Sequence, residues 1–252
     1  MTAPFFLVEP AALPSSVGSV VVIDGAEGRH AATVRRLDVG EVVRVGDGRG
    51  RVVEGPVLAV VGKDRVDVEV ASYAETPPPS PRVVVVQALA KGDRSDLAVE
   101  LATEVGADVV VPWAASRSVA VWRGDKAERG VEKWRARARE AAKQSRRPYV
   151  PEVHALASTA DVAARVRAVV DRGGAAAVLH ESASHRLADL ALPRSGDVVL
   201  VVGPEGGIAG DELERFADAG ARAVRLGPSV LRTSTAGAVA AALVLDATGR
   251  WG

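Results

Sequence analysis

Two strand-like segments near the end of the chain each break into a glycine-proline corner, and this repeated break constrains the fold more than any other feature. Val198 to Val202 is an unbroken apolar run, followed at once by Gly203-Pro204-Glu205-Gly206-Gly207. A run of that length bounded by Gly and Pro fits a strand buried on both faces. Asp211 then opens a helical segment, Glu212 to Ala219, which Gly220 closes. A shorter strand, Ala223 to Leu226, ends in the second corner, Gly227-Pro228. Leu231-Arg232-Thr233-Ser234-Thr235 leads from there into an Ala/Val/Leu-rich helix. The unit reads strand, helix, strand, helix. In open α/β sheets, ligands bind at the carboxyl ends of the strands, where both corners fall. Any one of these glycines taken singly reads as an ordinary turn, so the signal is the pair.

The corners carry no Lys, and neither the dinucleotide pattern G-x-G-x-x-G nor the P-loop pattern G-x-x-x-x-G-K-[ST] occurs. Ile208, Val230 and Leu231 flank the glycines instead. Apolar loops with bare main chain can wrap an aromatic base and bond its edges. An adenosyl ligand without phosphates fits this better than a nucleotide triphosphate or a dinucleotide.

VGPEGG followed by LGPSVLRTSTA resembles the signature of the SPOUT-superfamily ribosomal RNA uridine-N3 methyltransferases that modify small-subunit (16S) RNA. Gln87 to Asp93 with Glu100 to Gly106 resembles that family's first strand-helix unit, Arg139 to Ser145 its EAAxQS segment, and His30 to Gly50 its N-terminal domain. The resemblance implies an α/β fold class: an N-terminal PUA-like β-barrel that holds RNA, then a SPOUT-type α/β domain with a trefoil knot. It implies S-adenosylmethionine as cofactor, small-subunit RNA or the small ribosomal subunit as partner, and a homodimer. One departure stands near the start, where Ala3-Pro4 precede Phe5-Phe6 in place of the family's Arg.

The expected domains are residues 1–73, a proline-rich linker 74–81, and 82–252. Short alternating runs such as Val42-Val43-Arg44-Val45 and Val66-Asp67-Val68-Glu69-Val70 indicate closely spaced strands in the first. Pro77-Pro78-Pro79-Ser80-Pro81 favours an extended spacer. The second opens on Val83 to Val86 as a strand. It continues with Ser95 to Val105 as a helix whose apolar face is Leu97, Leu101 and Val105.

The formal net charge of zero announces no nucleic-acid partner, so RNA contact requires a local patch. The segment Arg123 to Arg147 supplies one, with ten basic against four acidic residues and Trp122 and Trp134 in or beside it. Such a helix suits phosphate contacts that position RNA without reading sequence. The candidate RNA-binding residues are Arg35, Arg36, Arg49, Arg51, Lys91, Arg139, Lys143 and Arg146. A solvated Arg-rich face accounts for the same pattern. The absence of cysteine excludes disulfides, thiolate nucleophiles and Cys-based zinc, and no metal is expected. No signal segment or long uncharged apolar run appears, so a soluble cytoplasmic protein without membrane contact is expected.

The resemblance and the corners place the cofactor against Leu179, His180, Gly203, Glu205, Gly206, Leu226, Gly227, Val230, Leu231 and Thr233. A sulfonium methyl is a ready electrophile, whereas uridine N3 is a poor nucleophile until its proton leaves. The chain must align the two and stabilise the uridine anion. Arg232 is the candidate for that stabilisation, because a guanidinium stays charged and donates to a uracil oxygen. Glu205 is a candidate proton acceptor, with a structural role tying the corners together as the stronger reading. Thr233, Ser234 and Thr235 read first as capping residues of the last helix. A non-catalytic RNA-binding assembly factor is the competing reading, and it has no need of twin glycine corners.

Overall fold

The computed structural model describes residues 3–251, which form two compact units. The first runs to Pro78 and includes Ala142–Val150; the second comprises Pro79–Ala141 and the chain from Pro151 onward.

In the first unit the strands are β1 (Phe5–Leu7), β2 (Val20–Ile23), β3 (Val42–Gly46), β4 (Arg51–Val61), β5 (Arg65–Glu69) and β6 (Ser72–Glu75). They order β1-β3-β4-β5-β2, with β6 added to β4. Val43 and Val45 of β3 and Val66 and Val68 of β5 turn inward, so the period-two pattern seen in the sequence is the core face. The eleven residues of β4 bend at a register shift between Val57 and Ala59, pairing with β3 and β6 before it and β5 after it. A Cβ on Gly55 would lie 1.8 Å from the Glu69 carbonyl oxygen, so no other residue fits this crossing. A short helix, α1 (Gly25–Arg29), continues through a wide turn at His30–Val34. The His30 ring meets Phe6 edge-on, a structural placement. Ala74 and Glu75, expected in the spacer, pair with Val52 and Arg51 instead.

The return of residues 142–150 to this unit lies outside the contiguous division expected from sequence. Gly50 N–H donates to Pro148 C=O and Val150 N–H to Gly48 C=O, both at 2.9 Å. Tyr149 Oη donates to Thr76 C=O, and a Cβ on Gly50 would fall 2.5 Å from that hydroxyl. Lys143 Nζ reaches Glu27 Oε1 at 2.6 Å, with both side chains largely buried.

The second unit contains β7 (Arg82–Ala88), α2 (Arg94–Val105), β8 (Val109–Trp113), α3 (Asp125–Gln144, whose last turn belongs to the first unit), β9 (Glu152–Val153), α4 (Thr159–Asp171), β10 (Ala175–Leu179), β11 (His185–Arg186), β12 (Asp197–Val202), α5 (Gly210–Asp218), β13 (Arg222–Arg225) and α6 (Thr233–Ala247). Its strands are all parallel, in the order β11-β13-β10-β12-β7-β8-β9. Both faces are covered. Val84, Val86, Val199 and Val201 pack with α4 and α5, while Val83, Val85, Val198 and Leu200 pack with α2 and α6. The unbroken apolar runs Val83–Val86 of β7 and Val198–Val202 of β12 follow from this double burial.

Two helix expectations are corrected. The buried face of α2 is Ala98, Val99 and Ala102, whereas Leu97 is 42% exposed. The small residues let α2 lie close to α6, which it contacts along its length. The N-cap of α5 is Ala209 rather than Asp211, and Glu212 Oε2 accepts its N–H at 3.2 Å. Among the described residues no helix is long and apolar enough to cross a membrane.

Candidate functional site

The carboxyl ends of β10, β12 and β13 open onto one cavity of about 480 Å³ in the second unit. Of the sequence-predicted residues, Leu179, His180, Gly203, Glu205, Leu226, Gly227, Val230, Leu231, Arg232 and Thr233 all line it. Gly206 does not. It sits under Arg117, whose Nη1 donates to the Gly206 carbonyl at 3.3 Å. Arg94, Arg225 and Pro228 line the cavity without having been predicted.

The two corners are fastened to each other by side chains. Thr233 Oγ1 donates to the Gly203 carbonyl at 2.7 Å and accepts from Gln87 Nε2 at 2.9 Å. Thr233 is therefore a link between β12, β7 and α6 rather than a helix cap; the N-cap of α6 is Arg232, with no side-chain cap bond. Gly203 is required by packing, since a Cβ there would lie 2.6 Å from Ile208 Cγ1. A Cβ on Gly227 would meet no protein atom within 4 Å, which leaves open space along that wall of the cavity. Gly207 closes the first corner with φ +71, donating its N–H to Pro204 C=O.

Charge around the cavity is unevenly committed. Glu205 Oε1 accepts from Arg94 Nη1 at 3.0 Å and from the Lys91 N–H at 3.3 Å. Burial alone would raise the Glu205 carboxyl, but hydrogen bonds from its own N–H, Arg94 and Lys91 outweigh this and hold it below its usual value. It is thus a weak base that ties the loop after β7 to the first corner. Arg225 Nη1 donates to the Ala183 and Ser184 carbonyls. His180 Nδ1 accepts from the Ser182 N–H at 3.2 Å, so the neutral ring carries its proton on Nε2. Arg232 is exposed at the rim and its guanidinium has no partner among the described residues.

The RNA-binding candidates divide into committed and exposed groups. Arg51 bonds Asp47 and the Pro10 carbonyl, both at 2.7 Å, and Lys143 is in the buried pair with Glu27. Arg139 is half-buried. Arg35, Arg36, Arg49, Lys91 and Arg146 are exposed. The positive excess of α3 is also reduced internally, because Lys133 pairs with Asp96, Arg135 with Glu132 and Arg137 with Glu100.

A parallel sheet with a base-sized cavity at its corners defines a class of α/β ligand-binding enzyme. Residues 77–245 match the RNA methyltransferase domain family, and residues 23–71 match the RNA methyltransferase PUA domain family. The chain is 50% identical over 251 residues to the ribosomal RNA small subunit methyltransferase E of Mycobacterium bovis, covering 100% of this chain and 94% of that protein. The Bacillus subtilis protein of the same name is 31% identical over 85% of each chain. A crystal structure of the Neisseria gonorrhoeae ribosomal RNA small subunit methyltransferase E bound to S-adenosyl methionine superposes with a TM-score of 0.82, at 26% identity over 98% of each chain. The chain belongs to the ribosomal RNA small subunit methyltransferase E family.

Proposed function

We propose that this protein transfers a methyl group from S-adenosylmethionine to N3 of a uridine in small-subunit (16S) ribosomal RNA. The observation that carries the reading is the cavity bounded by both glycine corners, with the unpartnered Arg232 at its rim. The residues fit an adenosyl group. Val202, Ile208, Leu226, Val230 and Leu231 offer apolar surface, and Gly227 leaves room on one wall.

When bound, the cofactor supplies a methyl on a positively charged sulfur. The chain's part is placement and electrostatics. The corners hold the adenosyl end through main chain, and Thr233 keeps Gly203 in register with β7. Arg232 donates to a uracil oxygen as charge develops there. Glu205, already bonded to Arg94 and Lys91, keeps the corner closed, and the N3 proton leaves to water.

The finer architecture belongs to the same reading: a closed PUA-like barrel, a SPOUT domain with a trefoil knot, and a cytoplasmic homodimer. α6 supports the dimer, since it leaves an apolar side chain, Leu243, 39% exposed beside the partly buried Val239 and Ala242. A purely RNA-binding assembly factor has no use for the adenosyl-sized cavity. Mass spectrometry of small-subunit RNA from cells lacking the protein tests the proposal. One methylated uridine should revert to uridine, and an unchanged modification pattern would refute it.

A further inference from the structure

The loop between β8 and α3, residues 114–124, is clamped at both ends and presents Arg117, Val119 and Val121 as exposed side chains between them. At its start the Ala114 N–H donates to Ala157 C=O at 2.9 Å, and Ala115 is buried. The Ser116 N–H donates at 2.9 Å to Oε1 of Glu212, a carboxylate only 2% exposed that also accepts from Thr159 Oγ1 at 2.8 Å. At its end Trp122 lies over α3. A Cβ on Gly130 would fall 2.7 Å from the indole, and the ring meets Trp134 edge-on at 5.3 Å between centroids. Between these anchors Val119 is 64% and Val121 49% exposed. Arg117 is exposed too, and its guanidinium makes one long bond, to the Gly206 carbonyl at 3.3 Å. Gly206 lies between Glu205 and Gly207, which both line the cavity, so Arg117 packs on the corner that walls it.

We infer that this loop holds the RNA strand that delivers the target nucleotide, with Arg117 as a positioning residue on a backbone phosphate and Val119 and Val121 supporting an unstacked base. The inference rests on the reading of the cavity as the methyl-transfer site. N3 lies on the pairing edge of uracil, so the base must leave its pair and stack to be methylated. An opened strand presents base faces and phosphates, and the loop offers apolar side chains beside a guanidinium. Of the arginines about the first corner, Arg94 is committed to Glu205 and Arg232 to the uracil ring. Arg117 keeps four of its five N–H donors without a partner among the described residues. The loop's fixed ends mean that little ordering accompanies binding.

Small ribosomal subunits purified from a strain lacking the protein are the probe, with Arg117→Ala, Arg117→Lys and Val119→Asp as variants of the full chain. Arg117→Ala should raise KM for the subunits about tenfold, the loss expected for one charge-assisted hydrogen bond. The slope of log affinity against log salt should become shallower by about one phosphate, and Arg117→Lys should restore it. Affinity for S-adenosylmethionine, measured by calorimetry, and kcat should both stay at wild-type values. Val119→Asp, at an exposed position, should weaken subunit binding without altering the melting temperature. Unchanged KM and salt slope in Arg117→Ala would overturn the inference. So would a loss of cofactor affinity, which would make Arg117 a prop for the corner, or a change of oligomeric state in Val119→Asp, which would make the loop a subunit contact. If the wild-type protein binds these subunits but does not methylate them, the methyl-transfer reading fails, and sedimentation binding of the variants still decides the role of Arg117.

Discussion

Arg232 and Glu205 occupy one cavity under opposite conditions. Arg232 has nothing to hold, whereas Glu205 is held by Lys91 of the loop after β7 and by Arg94 at the start of α2. Truncating Arg232 therefore removes a donor that acts only as charge develops. Arg232→Ala should keep its affinity for S-adenosylmethionine and lose turnover by about 10²–10³-fold, the range for deleting one stabilising donor. Near-normal methylation by this variant would take Arg232 out of the mechanism. Glu205 predicts a pH dependence. Its folded-state pKa is lowered, so its contribution to stability is present above the unfolded value of about 4.3 and fades as pH falls through the depressed value. Glu205→Gln should be less stable than wild type at pH 7 in urea titrations, and the two should converge as acid takes the pH below the depressed folded-state value. A gap that widens on acidification would show that the carboxylate is not stabilised there.

At the scale of elements, the site depends on three segments meeting: the ends of β7 and β12 and the start of α6. Thr233 joins them through one hydroxyl. Thr233→Val keeps the shape, leaves the Gly203 carbonyl without that donor, and should cost about 1–3 kcal/mol in stability together with cofactor affinity. Wild-type affinity in that variant would show that the corners hold without the link. Gly203→Val should be more damaging, because its side chain meets Ile208 rather than open space. Calorimetry should find no cofactor binding, while the first unit retains its strands by circular dichroism. The corners were legible in sequence because Gly and Pro interrupt apolar runs. The link was not, since a Thr ahead of a helix looks the same whether it caps that helix or reaches across to another strand. Periodicity misassigns the face of α2 for a related reason. Leu97, Leu101 and Val105 satisfy helical periodicity, yet close packing on α6 selects the face with small residues.

At the scale of the molecule, residues 142–150 matter most, because they complete a unit begun far earlier in the chain. Lys143→Ala would leave Glu27 charged, largely buried and without this partner. Breaking such a pair from one side costs about 3–5 kcal/mol. The first unit should unfold at lower denaturant concentration, with affinity for S-adenosylmethionine in the second unit unchanged. Coincident loss of both would show that the two units do not unfold separately. The same pair removes Lys143 from the set of exposed cations, as Asp47 does for Arg51. The local excess of positive charge in the sequence therefore overstates what this surface presents to RNA.

By itself the sequence determined the two kinds of strand, period-two in the first unit and continuously apolar in the second, because burial on one face or two writes itself into the spacing of apolar residues. It also determined where β12 ends, because Gly203 and Pro204 stop it. Only the tertiary structure decided which charges are neutralised, which helix face is buried, what Thr233 bonds, and that Arg117 stands beside the cavity. Those outcomes depend on pairs as distant as Gln87 and Thr233 or Arg117 and Gly206, and local spacing carries no information about a partner brought near by folding.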